Sequence, residues 1–179
     1  MAEGRFIYTN VLTRETFKKP KPTSILKHYD GKPMITETDL EGGITYASRR
    51  FQDFTGYSKQ ELVGLPHSIV RHPDMPEGLF YAMWKIIQEK KVWRGYIKSL
   101  CRDGSYFWAL VYIQPKLDSE GKHIGYVANR KDAYPKSIEQ AEKKYAELFG
   151  LDHKYDSYFM GMELYHGDDL ASFANRVSE

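Results

Sequence analysis

The sequence predicts an α+β domain in which a five-stranded antiparallel sheet carries its helices on one face. Three observations point to it. Two short strand patterns, 34–38 and Ile44–Ala47, open the folded region across turn chemistry at 39–43. Several short helical segments and one longer amphipathic helix follow, up to about residue 90. Three strand patterns then run in succession to Lys131, joined by short turns. Strands in two runs with helices between them fit an antiparallel sheet covered on one side better than alternating parallel units.

Met34-Ile-Thr-Glu-Thr38 alternates weakly, as a half-buried strand does, and Ile44-Thr-Tyr-Ala47 is its return. Residues 49–54 read as a short helix closed by Gly56. Residues 58–63 read as another, opened by Ser58-Lys-Gln-Glu61, which has the form of a capping box, and followed by Gly64. Gly64 to Pro76 holds three prolines, two histidines, an arginine and an aspartate. Proline fixes φ and removes a backbone donor, so this stretch is a stiff, irregular loop, a common setting for a ligand site. The long helix spans about 76–90, with Pro76 in its first turn, Glu77 at its positive end and Lys90 and Lys91 at its negative end. Leu79, Met83, Ile86 and Ile87 recur at helical spacing and should face the core. Residues 92–101 and 106–116 form a hairpin across Arg102-Asp-Gly-Ser105, and His123–Lys131 joins it across Asp118-Ser-Glu-Gly121.

The flanks differ. Residues 1–33 are expected to be an N-terminal arm, basic and proline-broken at Lys18, Lys19, Pro20, Lys21 and Pro22, and mainly solvated, with Phe6, Ile7 and Tyr8 suited to a short strand. Residues 34–134 form the central domain. Residues 135–179 are expected to be a helical extension: one helix from the capping box Ser137-Ile-Glu-Gln140 to about Phe149, a second over 155–164, and a third over 168–177.

Composition narrows the function classes. The 179 residues are 41% hydrophobic and 15% aromatic, enough for a core and for the wall of a pocket taking a flat ligand. A net charge of +2 does not suggest nucleic-acid binding. A single cysteine, Cys101, excludes an internal disulfide and paired-cysteine metal or haem-attachment motifs, which points to a reducing, cytoplasmic setting. No apolar run approaches the ~20 residues of a membrane span, and the N-terminus lacks a signal-peptide pattern, so no membrane insertion is expected. No nucleophile–base spacing, phosphate loop, HExxH or dinucleotide glycine cluster is present, and the chain is expected not to be an enzyme.

The strand and helix order, with Phe54-Thr-Gly-Tyr57, Glu61-Leu-Val-Gly64 and Arg102-Asp-Gly-Ser-Tyr-Phe-Trp108, resembles a PAS domain over 34–131. Pro66-His-Ser-Ile-Val-Arg-His-Pro-Asp-Met-Pro76, with Met83-Trp84 and Trp93-Arg-Gly95, is similar more narrowly to the PAS domains of the Aer and CetB aerotaxis proteins. That resemblance implies a non-covalently bound FAD, redox sensing, and signalling to a partner such as a chemoreceptor through the sheet or the C-terminal helices. Pairing into a homodimer is also compatible with it. Carried to matching positions, it implies that Arg71, His72, Asp74 and Trp84 hold the flavin, with Trp93 a further candidate. Arg71 would neutralise the pyrophosphate, Asp74 would orient Arg71 or accept from the ligand, and Trp84 would stack. The family usually carries Asn where this chain has Ser48 and Ser99; serine reaches less far than an amide, so a water or another side chain would take over that contact. Two other readings stay open on the same fold: a haem-binding gas sensor with His67 or His72 as axial ligand to haem b, and a cofactor-free protein-interaction module.

Overall fold

The computed structural model describes residues 7–149, 157–160 and 163–166. The elements are β1 Ile7–Thr9, β2 Thr16–Lys18, β3 Ile35–Thr38, β4 Ile44–Ala47, α1 Arg49–Thr55, α2 Lys59–Leu62, a 3-10 turn at His67–Val70, α3 Glu77–Gln88, β5 Trp93–Leu100, β6 Tyr106–Leu117, β7 His123–Lys131, α4 Pro135–Phe149, β8 Ser157–Met160 and β9 Glu163–His166. The sheet has five strands in the order β4-β3-β7-β6-β5, all neighbours antiparallel. The central order matches the sequence expectation, with boundaries shifted by one or two residues.

Local chemistry sets these elements. Ser58 closes its capping box, accepting from Glu61 N while the Glu61 carboxylate accepts from Ser58 N. Asp103 Oδ1 accepts from Ser105 N at 2.9 Å, and Gly104 takes φ +87°, which turns β5 into β6. Pro76 stands at the N-cap of α3, whose buried stripe includes Leu79, Met83, Ile86 and Ile87.

Alternation gives the sheet two faces. Trp93, Gly95, Ile97 and Ser99 on β5 stand opposite Ile113, Val111, Ala109 and Phe107 on β6, and this inner set faces α1, the 3-10 turn and α3. Tyr96 and Lys98, opposite Leu110 and Trp108, point to the outer face.

Most described residues of the N-terminal arm are exposed, as expected, but the arm is docked on the domain at specific points. Residues 7–9 and 16–18 form a hairpin, and Asn10, fully buried, clamps it to the domain. Its amide donates to the carbonyls of Glu61 (3.0 Å) and Val63 (2.8 Å), and its Oδ1 accepts from Leu12 N and Thr13 N. Gly64 has φ +102°, and a Cβ there would lie 2.3 Å from Asn10 Oδ1, so this glycine serves both the end of α2 and the docked arm. Farther along, Tyr106 N donates to Ile25 O and Lys27 N to Tyr106 O, and Tyr29 is buried with its hydroxyl 2.6 Å from Lys32 O and 2.9 Å from Arg130 O. Charge and proline pattern do not reveal such long-range backbone pairing.

Helix α4 starts at Pro135, two residues before the expected cap Ser137; Ile138 N donates to Tyr134 O, and proline fills the first turn where its missing donor costs nothing. The helix returns to the outer face. Tyr145 stacks on Trp108 at 6.2 Å and 18°, and its hydroxyl donates to Tyr96 O. Within the segment expected to be a helix over 155–164, residues 157–160 are instead a strand paired antiparallel with 163–166, with Ser157 opposite His166 and Met160 opposite Glu163. The expected helix over 168–177 lies outside the described residues.

Candidate functional site

The inner face of the sheet does not close completely against α3. Between them lies a cavity of about 290 Å³, just under the roughly 300 Å³ at which small-molecule sites begin. Ile87, Ile97, Val111, Ile113 and Ala128 supply much of its wall. Trp84 from α3 and Tyr126 from β7 meet edge to face at one side, 5.5 Å apart and at 83°. Gly42, at φ +91°, lets the turn between β3 and β4 pass the Trp84 ring, since a Cβ there would lie 3.2 Å from it.

The polar end is built by β3, β7 and the 3-10 turn. Arg130 is only 3% exposed, yet it lines the cavity. Its Nη1 donates to Thr36 Oγ1 at 3.2 Å and its Nη2 to the same oxygen at 3.3 Å. Nη2 also lies 3.2 Å from His67 Nε2, which is 3.0 Å from Thr36 Oγ1. A guanidinium has no acceptor, so Nε2 accepts there and His67 is neutral, with its ring proton on Nδ1. Enclosure by protein, with the Arg130 charge beside it, holds the His67 pKa down to about 3. Burial also lowers Arg130 to about 10, which still leaves it charged at neutral pH.

The candidates read from sequence separate into two groups. Arg71, Trp84 and Ser99 line the cavity. Arg71 pairs with Ser99 along the free edge of β5, and its guanidinium lies 3.9 Å from the centre of the Phe80 ring. His72, Asp74, Trp93 and Ser48 do not line it. The backbone is extended at Arg71, so consecutive side chains turn to opposite sides. Arg71 faces inward, while His72 packs against Tyr106, 6.0 Å away, at the outer side of β6. His72 Nδ1 accepts from Asp74 N at 3.0 Å and shapes the turn. Burial first, then the nearby Lys98 charge, lowers the His72 pKa to about 4. Asp74 is exposed and paired with Lys98 at 3.0 Å, not with Arg71; that hydrogen bond leads the causes that lower its pKa. Trp93 is fully buried and folds over Gly95. Ser48 caps α1, accepting from Phe51 N, and also accepts from Ile35 N at 3.1 Å.

Sequence reasoning missed Arg130 and Thr36 as cavity residues, and treated His67 only as a haem ligand. A signal was present: alternation along His123–Lys131 puts Arg130 on the same face as Tyr126 and Ala128, a charge at an inward position. For haem, His67 would have to give up the Nε2 lone pair already engaged by Arg130 and Thr36. Among the described residues no cluster of three or more His, Cys, Asp or Glu is arranged to hold a metal ion, and no helix is long and apolar enough to cross a membrane.

Residues 44–130 match the family model described as PAS fold. The chain is 36% identical over 119 residues to the aerotaxis receptor of Escherichia coli (strain K12), covering 66% of this chain and 23% of the receptor. It is 31% identical over 145 residues to the bacterioopsin transcriptional activator of Halobacterium salinarum, covering 81% of this chain and 21% of that protein. The chain thus spans under a quarter of the length of these curated relatives. Among solved structures, a light-oxygen-voltage domain studied with a flavin analogue superposes with a TM-score of 0.54 at 20% identity, covering 66% of this chain and 88% of that one. A PAS domain from Colwellia psychrerythraea gives 0.51 at 24%, covering 56% and 86%. These likenesses concern the fold.

Proposed function

We propose, from the premise that residues 44–130 of this chain form a PAS domain, that it is a sensory module whose cavity binds a flavin, FAD in the narrower reading. It would report redox or oxygen state to a signalling partner, a reading that the likeness to an aerotaxis receptor supports. One observation carries the reading: an apolar slot flanked by Trp84 and Tyr126 ends in a polar group of Arg130, Thr36 and His67. A planar ring with an acceptor-rich edge suits that division into apolar walls and donor end. The chemistry a bound flavin would supply is reversible electron uptake.

The chain's residues take distinct roles in this reading. Trp84 and Tyr126 bound the ring, Arg130 meets its polar edge, and Arg71 meets a phosphate of the tail by charge-assisted hydrogen bonds. Ser99 offers a hydroxyl where the resembled family carries an amide, and Arg130 supplies donors a serine lacks. His72, whose Nδ1 accepts from the backbone N of residue 74, holds the turn that aims Arg71. Output runs through the sheet: β5 and β6 wall the cavity on one face and seat Tyr145 of α4 on the other. A ligand that favours one arrangement of these strands would shift the seating of α4, and with it the surface offered to a partner or a second copy.

The test is an absorption spectrum of purified protein before and after dithionite, with reconstitution by FAD, FMN and riboflavin. The reading expects flavin absorbance that bleaches on reduction. It also expects Arg71→Ala to weaken FAD and FMN by about tenfold or more while sparing riboflavin, as loss of a charged contact to phosphate would. Colourless protein that takes up none of the three would overturn it.

A further inference from the structure

Arg130 is charged, almost wholly enclosed, and has no counter-ion among the described residues. No carboxylate among the described residues pairs with it, and Glu41, which also lines the cavity, is itself exposed. Its partners are neutral: Thr36 Oγ1, His67 Nε2 and, at a long 3.4 Å, Met34 O, with the Phe51 ring 4.6 Å from its guanidinium carbon. Its Nε is buried with no hydrogen-bond partner among the described residues. A buried ion in this state is costly, and so is a buried donor left unsatisfied. The neighbours hold the guanidinium in place without neutralising it. This donor-rich charge forms part of the wall of a cavity that is otherwise largely apolar.

We propose that Arg130 makes the cavity prefer an occupant with negative charge at its polar edge, so that the domain holds a reduced, anionic flavin ring more tightly than the oxidised, neutral one. The proposal rests on the flavin reading above. In the reduction concerned, two electrons come from a dithionite-class reductant and one proton from water, and the product ring carries one negative charge. Arg130 meets that charge in a site where few other dipoles can, which makes the electrostatic interaction strong. Thr36 and His67 are positioning residues, since both fix the guanidinium and neither carries charge. Oxidised flavin has only a neutral acceptor to offer and gains less.

The experiment measures dissociation constants of oxidised and dithionite-reduced FMN for the wild-type protein, and midpoint potentials of the loaded protein against a reference dye. The wild type is expected to bind reduced flavin at least tenfold more tightly than oxidised, equivalent to a potential raised by about 30 mV for a two-electron couple. Arg130→Gln, which keeps donors and removes the charge, is expected to weaken reduced flavin at least tenfold more than oxidised flavin and so to remove that preference. Arg130→Lys restores most of it. A wild type with equal affinity for the two forms overturns the inference whether or not the variants fold. So does an Arg130→Gln potential unchanged from wild type. A wild type that takes up neither form overturns the flavin reading and this inference together, whereas flavin uptake without redox preference overturns this inference alone.

Discussion

The two faces of the β5–β6 hairpin share one backbone but solve different problems. On the outer face, Trp108 and Tyr96 are closed over by Ala141 and Tyr145 of α4. On the inner face, Ile97, Ser99 and Val111 stop short of α3 and leave a cavity that Arg130 borders. One face is filled by large aromatic groups, with the Tyr145 hydroxyl hydrogen-bonded to Tyr96 O; the other retains space and, among the described residues, an unsatisfied donor. The outer contact is filled, whereas the inner face combines the main core with an open cavity, which is how a sheet can hold its shape while part of its interior face exchanges ligand states.

The largest effect should come from the filled face. Tyr145→Ala removes a ring stacked on Trp108 and a buried hydrogen bond, and is expected to cost about 3 kcal/mol or more by urea unfolding, while folded protein keeps its flavin affinity. Loss of flavin binding without loss of stability would break the comparison. A matched pair sharpens it. Ala141→Leu forces extra volume into the fully buried outer contact and should cost about 1–3 kcal/mol. Ala128→Leu enters existing space, should cost less than about 1 kcal/mol without ligand, and should abolish flavin uptake. Equal costs for the two would show that the inner space is not real.

The acid limb is a third test. His67 and His72 are held neutral in the fold, at pKa values near 3 and 4, whereas both titrate near 6.5 when unfolded. The unfolded chain therefore binds more protons below pH 6.5, and stability falls as pH drops from 6.5 toward 4, with no contribution above that window. His67→Gln should flatten this limb by up to one proton, about 1.4 kcal/mol per pH unit, as read from urea midpoints against pH. An unchanged slope would mean that His67 is protonated in the fold. The smallest effect belongs to Asp74→Ala. Its carboxylate is exposed and paired with Lys98, so stability should move by less than about 1 kcal/mol and flavin affinity not at all. A large loss of affinity would return Asp74 to the site.

Much of the fold is legible in short-range chemistry. The Ser58 capping box, the Asp103-Gly104 turn and the alternation of β6 and β7 are each complete within a few residues, so they can be read without knowing the neighbours. The proline-stiffened loop was legible as a site region, but its side-chain roles were not. Arg71 and His72 are adjacent and similar in sequence character, and only the pairing of Arg71 with Ser99 at the sheet edge sends one inward and the other outward. Trp84 and Trp93 show the same limit, since one borders the cavity and the other is core. The tail was misread over 155–164 because aromatic residues at mixed spacing suit a helix or a hairpin equally until pairing decides.

By itself, then, the chain determined its strand and helix order and the stretch that borders the site, because caps, turns and periodicity act over a few residues. Tertiary structure alone decided that Asn10 locks the arm down, that α4 covers the outer sheet, and that Arg130 stands charged at a cavity with no carboxylate partner among the described residues. Those outcomes depend on backbone register and on which groups meet across 50 or more residues of chain, as Asn10 with Glu61, 51 positions apart, and Arg130 with Thr36, 94 apart, both show. A buried charge has no local signature; its cost and its use exist only once the surrounding protein has excluded water.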